Sequence, residues 1–265
     1  MQEQAIGFFD SGWGGLSIFN TARTYLPKED MIYVADCGHA PYGDQSHDFI
    51  VNRALSIANF LFNEQKVKAI VVACNTATVE SIQELRHAFP NRIILGVEPA
   101  IKPAVESSKN NSIGLIATTR TVTSTRYQEL LKLHANNVKV FSQGCPGLME
   151  CVETGQLQSH QTIELLHSYL DPMIDGNIDA LVLGCTHYPF LAETIRGIIG
   201  DEVQLFEPSY AVAKHLKNQL LELNALQPQD RQGNNTFFVS DLNDVRKKVA
   251  QSLSPYATLF SELNC

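Results

Sequence analysis

Two cysteines occupy matching places in two similar segments, AIVVACNTAT (Ala69 to Thr78) and ALVLGCTHYP (Ala180 to Pro189). Each segment reads as a buried strand ending on a thiol, Cys74 in one and Cys185 in the other. Small polar residues able to start a helix follow both. The spacing therefore predicts each sulfur at the point where a strand hands over to a helix N-terminus, whose partial positive charge favours a thiolate. A free thiol with a pKa near 8.5 is only about 3% ionised at pH 7, so that assistance matters. A cysteine in an apolar run more often serves as a small core residue. The strand-end position and the hydrogen-bonding residues that follow favour chemistry instead. Two such thiols, one in each copy of a duplicated fold, suit proton transfer symmetric about one carbon.

The loop DSGWGGLS follows the strand IGFF and precedes a helix. Gly12, Gly14 and Gly15 let its backbone approach a ligand closely, and Ser11 adds a hydroxyl, so the loop suits a carboxylate or phosphate held on helix-terminal N–H groups. It is not a dinucleotide fingerprint, because Ser17 stands where the third glycine belongs. The next strand end carries Pro41, Tyr42 and Gly43, an ordinary turn sequence whose interest is positional. Position pairs Asp10 with Cys74 and His187 with Cys185, with Glu153 in CVETGQL a further candidate. A carboxylate keeps a proton near the thiol or accepts it, whereas an imidazolium draws it off. Cys74, Cys185, His187 and Asp10 are zinc ligands by type, but a C-x-H pair lacks the usual ligand spacing, and no metal site is predicted. No lysine lies in the strand-end motifs to form a pyridoxal Schiff base. A carbanion formed beside these motifs would then have to be stabilised by hydrogen bonds and electrostatics.

Apolar runs alternate with helical patterns along the chain, which predicts βαβ units and mostly parallel sheets. The first series runs through IGFF, MIYVAD, AIVVAC and RIILGV; the second through SIGLIATT, VKVFSQ, ALVLGC and VQLFEP. Cys74 and Cys185 stand 111 positions apart, and Ile6 and Ile113 stand 107 apart, which favours duplication. That repeat aligns Asp10-Ser11 with Ala117-Thr118, so Thr118 joins the candidate binding residues. The expected fold is α/β, two similar parallel-sheet domains related by a pseudo-two-fold duplication with the active site in the cleft between them. A tail with a helix, a strand NTFFVSD and a final helix exceeds the repeat and is expected to complete the first domain. The boundaries so drawn are 1–98 with 208–265, and 99–207.

A net charge of −8 without a basic cluster argues against nucleic acid as the main partner. No apolar run approaches the length of a membrane span. Six cysteines without a CxxC are expected to be reduced, in a cytoplasmic protein. Cys37, Cys145, Cys151 and Cys265 lack the context of the other two and read as structural or incidental.

DSGWGG (10–15), APYG (40–43), ACNTAT (73–78) and GCTHYP (184–189) together closely resemble, in order and spacing, the motifs of glutamate racemases. The likeness runs from about Ile6 to about Leu216. It implies cofactor-independent interconversion of L- and D-glutamate, supplying D-glutamate for peptidoglycan, with Cys74 and Cys185 as the two acid/base residues. It also implies substrate binding by Asp10 with Ser11, Tyr42 with Gly43, Asn75 with Thr76, and Thr186 with His187, and assistance to the thiols by Asp10, His187 and Glu153. A small-molecule substrate, glutamate, is thus the expected partner; a homodimer is compatible with these features and specified by none of them. The wider superfamily includes racemases or isomerases of aspartate, hydantoin and maleate, and a duplicated dicarboxylate-binding module is the reading from another class. Two residues depart from the pattern: Trp13 replaces a small aliphatic residue and Arg120 stands where many relatives carry glycine.

Overall fold

The computed structural model describes residues 2–265. The chain divides into two compact units, one formed by the residues up to Val97 together with Ser209–Cys265, the other by Glu98–Pro208.

The first unit begins with β1 (Ile6–Asp10), α1 (Leu16–Tyr25), β2 (Met31–Ala35), α2 (His47–Asn59), β3 (Ala69–Val72), α3 (Asn75–Ala88) and β4 (Ile93–Gly96). Every residue of β1, β2 and β3 is buried. That is why these strands read as unbroken apolar runs rather than as an alternation: helices cover both faces of the sheet. The second unit contains α4 (Ile101–Ser107), β5 (Ser112–Ala117), α5 (Thr119–Thr123), α6 (Thr125–His134), β6 (Lys139–Gly144), α7 (Leu148–Glu153), α8 (His160–Asp175), β7 (Ala180–Leu183), α9 (Ala192–Ile199) and β8 (Gln204–Phe206). Its core gathers Ile113, Leu115, Ala180 and Val182 from the sheet against Tyr127 and Leu130 of α6. The chain then returns through α10 (Ser209–Glu222), β9 (Asn235–Val239), α11 (Asp244–Leu253) and β10 (Phe260–Glu262).

Both sheets are wholly parallel. The second runs β6-β5-β7-β8, and the first runs β10-β9-β2-β1-β3-β4. Its last four strands thus repeat the order of the second sheet, with β9 and β10 added at the β2 edge. The repeat extends to register: Ile6 pairs with Ala69 in one unit and Ile113 with Ala180 in the other. The strand β10 carried no period-two signal in a stretch of only three residues.

The returning tail is fastened by a buried ion pair. Lys68 Nζ donates to Glu29 Oε2 at 2.5 Å and to the Ala225 carbonyl at 2.8 Å, while Gln227 N–H donates to Glu29 Oε1 at 2.8 Å. Burial pulls the Lys68 pKa down despite its carboxylate partner. Loss of either charge alone would leave the other buried and uncompensated.

Candidate active site

In the first unit, three strand ends bring the candidate residues together. Asp10 closes β1 and is fully buried; its Oδ1 accepts the Gly12 N–H at 2.8 Å. That bond folds the backbone into the turn leading to α1. Gly15 is obligatory there, because a Cβ would lie 2.8 Å from both Asp10 Cβ and Tyr33 Oη and 2.9 Å from Ala73 Cβ. Ser11 Oγ lies 3.8 Å from Cys74 Sγ, so the glycine loop meets the thiol.

Cys74 is the N-cap of α3, and its sulfur accepts the Ala77 N–H at 3.4 Å. A thiol here does what Ser46, Ser124, Ser159 and Asn243 do at the starts of α2, α6, α8 and α11. The helix N-terminus thereby favours a negative sulfur. Helical geometry starts at Asn75, so Asn75 and Thr76 form the first turn of α3, both buried. Asn75 is 2% exposed, and neither its Oδ1 nor its Nδ2 has a hydrogen-bond partner. A buried amide left unpaired is costly, and one placed next to a strand-end thiol is suited to a polar ligand.

Tyr42 and Gly43 lie in a 3₁₀ turn, Tyr42–Asp44, at the end of the loop after β2. Tyr42 is buried and donates to Asp36 Oδ2 at 2.7 Å. Burial, then the Asp36 carboxylate, and then the Cys74 sulfur hold the phenol well above its ordinary pKa. Asp36 is itself a hub missed by sequence reasoning. Arg53 donates to it from Nε (3.0 Å) and Nη2 (2.7 Å), Ser240 from Oγ (2.9 Å), and His39 Nδ1 lies 2.9 Å away. Burial would raise this carboxyl, but the bonds from Arg53, Tyr42 and His39 outweigh it and hold the group below the usual carboxylate range. The signal was available: Asp36 directly follows β2, as Asp10 ends β1.

In the second unit Cys185 also follows its strand, one residue past the Gly184 N–H that bonds to Ile116 at 2.7 Å. The expected helix N-terminus is not there. A turn over Cys185, Thr186 and His187 leads into a 3₁₀ turn, Tyr188–Leu191, and only then into α9. Pro189, at the second position of that turn, suits a first helical turn but does not bring the helix back to the sulfur. An imidazole stands in for the helix. His187 Nδ1 lies 3.6 Å from Cys185 Sγ, and its Nε2 lies 2.7 Å from Oε1 of Glu153, the last residue of α7. His187 is thus the middle of a hydrogen-bonded line and no isolated core histidine. Burial disfavours its charged form, yet the bonds to Cys185 and Glu153 prevail and hold its pKa well above that of a free imidazole.

Thr118 follows β5 and caps α5, accepting the Thr121 N–H at 3.2 Å. Thr186 is buried beside Cys185. Tyr188, unmarked by sequence reasoning though it lies in GCTHYP, donates to the carbonyls of Ala117 (3.3 Å) and Cys145 (3.2 Å), tying the turn that carries Cys185 to the ends of β5 and β6. The structure thus joins Cys185, His187 and Glu153 in one hydrogen-bonded line and sets Ser11 and Tyr42 about Cys74. Trp13 is fully buried within the core of the first unit, stacked on Tyr33, and so serves packing. Among the described residues, no group of three or more His, Cys, Asp or Glu side chains is arranged to hold a metal ion.

Residues 17–216 match the Asp/Glu/Hydantoin racemase family. The chain belongs to this family. It is similar to a glutamate racemase of Pseudomonas syringae pv. tomato, 43% identical over 249 residues that cover 94% of this chain and 90% of the relative. A glutamate racemase of Ectopseudomonas mendocina is 45% identical over 230 residues, 86% of this chain and 87% of that one. Among solved structures, a glutamate racemase of Francisella tularensis in complex with D-glutamate superposes with a TM-score of 0.87 at 31% identity, covering 100% of this chain and 98% of the other. No helix among the described residues of this racemase-family chain is long and apolar enough to cross a membrane.

Proposed function

We propose that this amino-acid racemase interconverts L- and D-glutamate without a cofactor, using Cys74 and Cys185 as a pair of proton-transfer groups. The observation that carries the reading is the placement of the two thiols, each one residue beyond the same backbone anchor: Ala73 N–H bonds to Phe9 in one unit, and Gly184 N–H to Ile116 in the other. Inversion at one carbon requires a base on one face and an acid on the opposite face, because a single base returns the proton to the face it came from. The reading assigns one thiol to each role, exchanged when the direction reverses.

The supporting chemistry follows from each environment. On the Cys74 side, the α3 N-terminus stabilises the thiolate, and Asp10 assists the transfer. On the Cys185 side, the His187 imidazolium, supported by Glu153, stabilises the Cys185 thiolate, which is the group that takes the α-proton. Abstraction of an α-proton leaves charge on the substrate carboxylate, which hydroxyl and amide donors stabilise. Ser11, Thr76, Thr118 and Thr186, the Asn75 amide and the Tyr42-Gly43 turn are the donors assigned to glutamate. Close relatives named for glutamate support that substrate over aspartate or hydantoin. D-Glutamate production for peptidoglycan, a cytoplasmic location and assembly as a homodimer belong to the same reading.

The direct test incubates purified protein with L-glutamate in D2O, without added cofactor, and follows circular dichroism and deuterium at Cα. Decay of the signal to zero, with deuterium in the product, is expected. Calorimetric binding of glutamate without any loss of optical activity would leave a binding module in place of a racemase.

A further inference from the structure

Beneath the glycine loop of the first unit lies an aromatic cluster that the proton-transfer chemistry does not use. Tyr33, buried within β2, donates from Oη to the Gly12 carbonyl at 2.8 Å. The Gly12 N–H donates at the same distance to Asp10 Oδ1. Gly12 is therefore held on both sides, by the carboxylate assigned to assist Cys74 and by a tyrosine from the neighbouring strand.

Tyr33 is in turn set by aromatic neighbours. The Trp13 indole lies nearly parallel to its ring, at 17° with centroids 6.3 Å apart. Phe260 of β10 meets Trp13 edge-on at 6.2 Å and 82°. Phe237 of β9 packs against both Phe260 (5.6 Å) and Tyr33 (5.8 Å). Such edge-on and offset pairs fix ring orientation as well as burying area. Trp13, Tyr33 and Phe237 are fully buried, so the loop, β2 and the returning tail share one packed core. Interiors of this density pass a displacement on rather than absorb it. Yet β9 and β10 lie outside the residues 17–216 that match the family.

We propose that β9 and β10 belong to the substrate-positioning machinery: Phe237 and Phe260 fix Tyr33 and Trp13, and these fix Gly12, and with it the Asp10 carboxylate and the Ser11 hydroxyl. Tyr33 and Phe260 are positioning residues that touch no reacting atom. The proposal rests on the assignment of the Asp10-Ser11 loop to glutamate.

Tyr33→Phe deletes only the hydroxyl and keeps the packing. Loss of that one hydrogen bond should raise KM for both glutamate enantiomers roughly threefold to tenfold, a larger change than the fall in kcat that comes from loosening Asp10. Phe260→Ala should raise KM similarly, and Phe260→Tyr, which keeps the edge-on ring, should restore it. Trp13 is the single tryptophan, so its emission reports on this loop. Glutamate should alter that emission in the native protein, with a midpoint that moves in step with KM in the variants. If the native protein turns over glutamate while Tyr33→Phe and Phe260→Ala keep KM within about twofold of it, even with a lowered Tm, the tail is only a stabilising element and the proposal falls. If the native protein turns over no glutamate, the assignment of the loop fails first, and the proposal with it.

Discussion

Cys74 and Cys185 follow equivalent strands in sheets of the same order, yet each thiol is served by different chemistry. In the first unit the sulfur caps a fourteen-residue helix and meets a serine hydroxyl. In the second the helix is displaced by a turn, and a histidine backed by a glutamate occupies the space beside the sulfur. A helix dipole is a fixed, permanent field, whereas an imidazolium exists only while it holds a proton. The slot after the neighbouring strand differs as well. Asp36 N–H and Cys145 N–H make the equivalent backbone bonds, to Asp10 and Ala117. The first is a carboxylate bound by four side chains, the second a thiol whose pKa is raised, chiefly by burial. Duplication thus supplied the scaffold twice, and side chains made the two halves unequal.

The largest expected effect tests whether both halves are needed. Cys74→Ala and Cys185→Ala should each lower kcat for racemisation by at least roughly a hundred- to ten-thousandfold, the range for loss of a general acid or base. Full activity in either variant, measured polarimetrically, would reduce the pair to a single working thiol.

A smaller effect should fall on one half only. Glu153→Gln removes the charge that helps keep His187 protonated and should slow proton abstraction at Cys185 roughly tenfold to a hundredfold, with the other direction less affected. The sign of the pH dependence follows from the raised His187 pKa. The stability this pairing contributes is present below the ordinary histidine pKa and is lost as pH rises through the raised, folded value. Weakening the partner lowers that folded value, so the alkaline limb of the rate profile should move to lower pH in Glu153→Gln. An unchanged limb would remove His187 from the Cys185 half.

Asn75 allows a finer cut. Its amide is buried without a partner, so Asn75→Ala should leave the free protein's stability within about 1 kcal/mol of native by urea unfolding while raising KM roughly tenfold. Destabilisation without a change in KM would make Asn75 a structural residue. The smallest difference concerns the backbone. Gly15→Ala, with contacts at 2.8 Å, should cost about 1–3 kcal/mol of stability. Gly184→Ala, whose nearest contacts are 3.0 and 3.1 Å, should cost less. The reverse order, by the same urea measurement, would mean that the second turn is the tighter of the two.

Much of this was legible in the sequence, and the limits have physical causes. Fully buried parallel strands leave unbroken apolar runs, so the strand ending at Asp10 and those leading to Cys74 and Cys185 stand out. The different fates of the two thiols did not. Asn-Thr-Ala and Thr-His-Tyr-Pro are both plausible helix starts, and the choice between a helix and a turn at Cys185 depends on tertiary contacts such as the Tyr188 bonds to two strand-end carbonyls. Glu153 could be named but not aimed, since 34 residues separate it from His187. Asp36 escaped because its partners, Arg53 and Ser240, come from a helix and from the far end of the chain. The same distance hid the contact of Phe260 with Trp13.

The account's central claim, two thiols of unequal support acting on one Cα, is tested most directly by solvent deuterium exchange in Cys74→Ser and Cys185→Ser. Each variant, given L-glutamate and D-glutamate separately in D2O, should exchange the α-proton of one enantiomer through its remaining cysteine while net racemisation is lost. The two variants should select opposite enantiomers, at different rates. Exchange of the same enantiomer by both variants, or of neither, would contradict it.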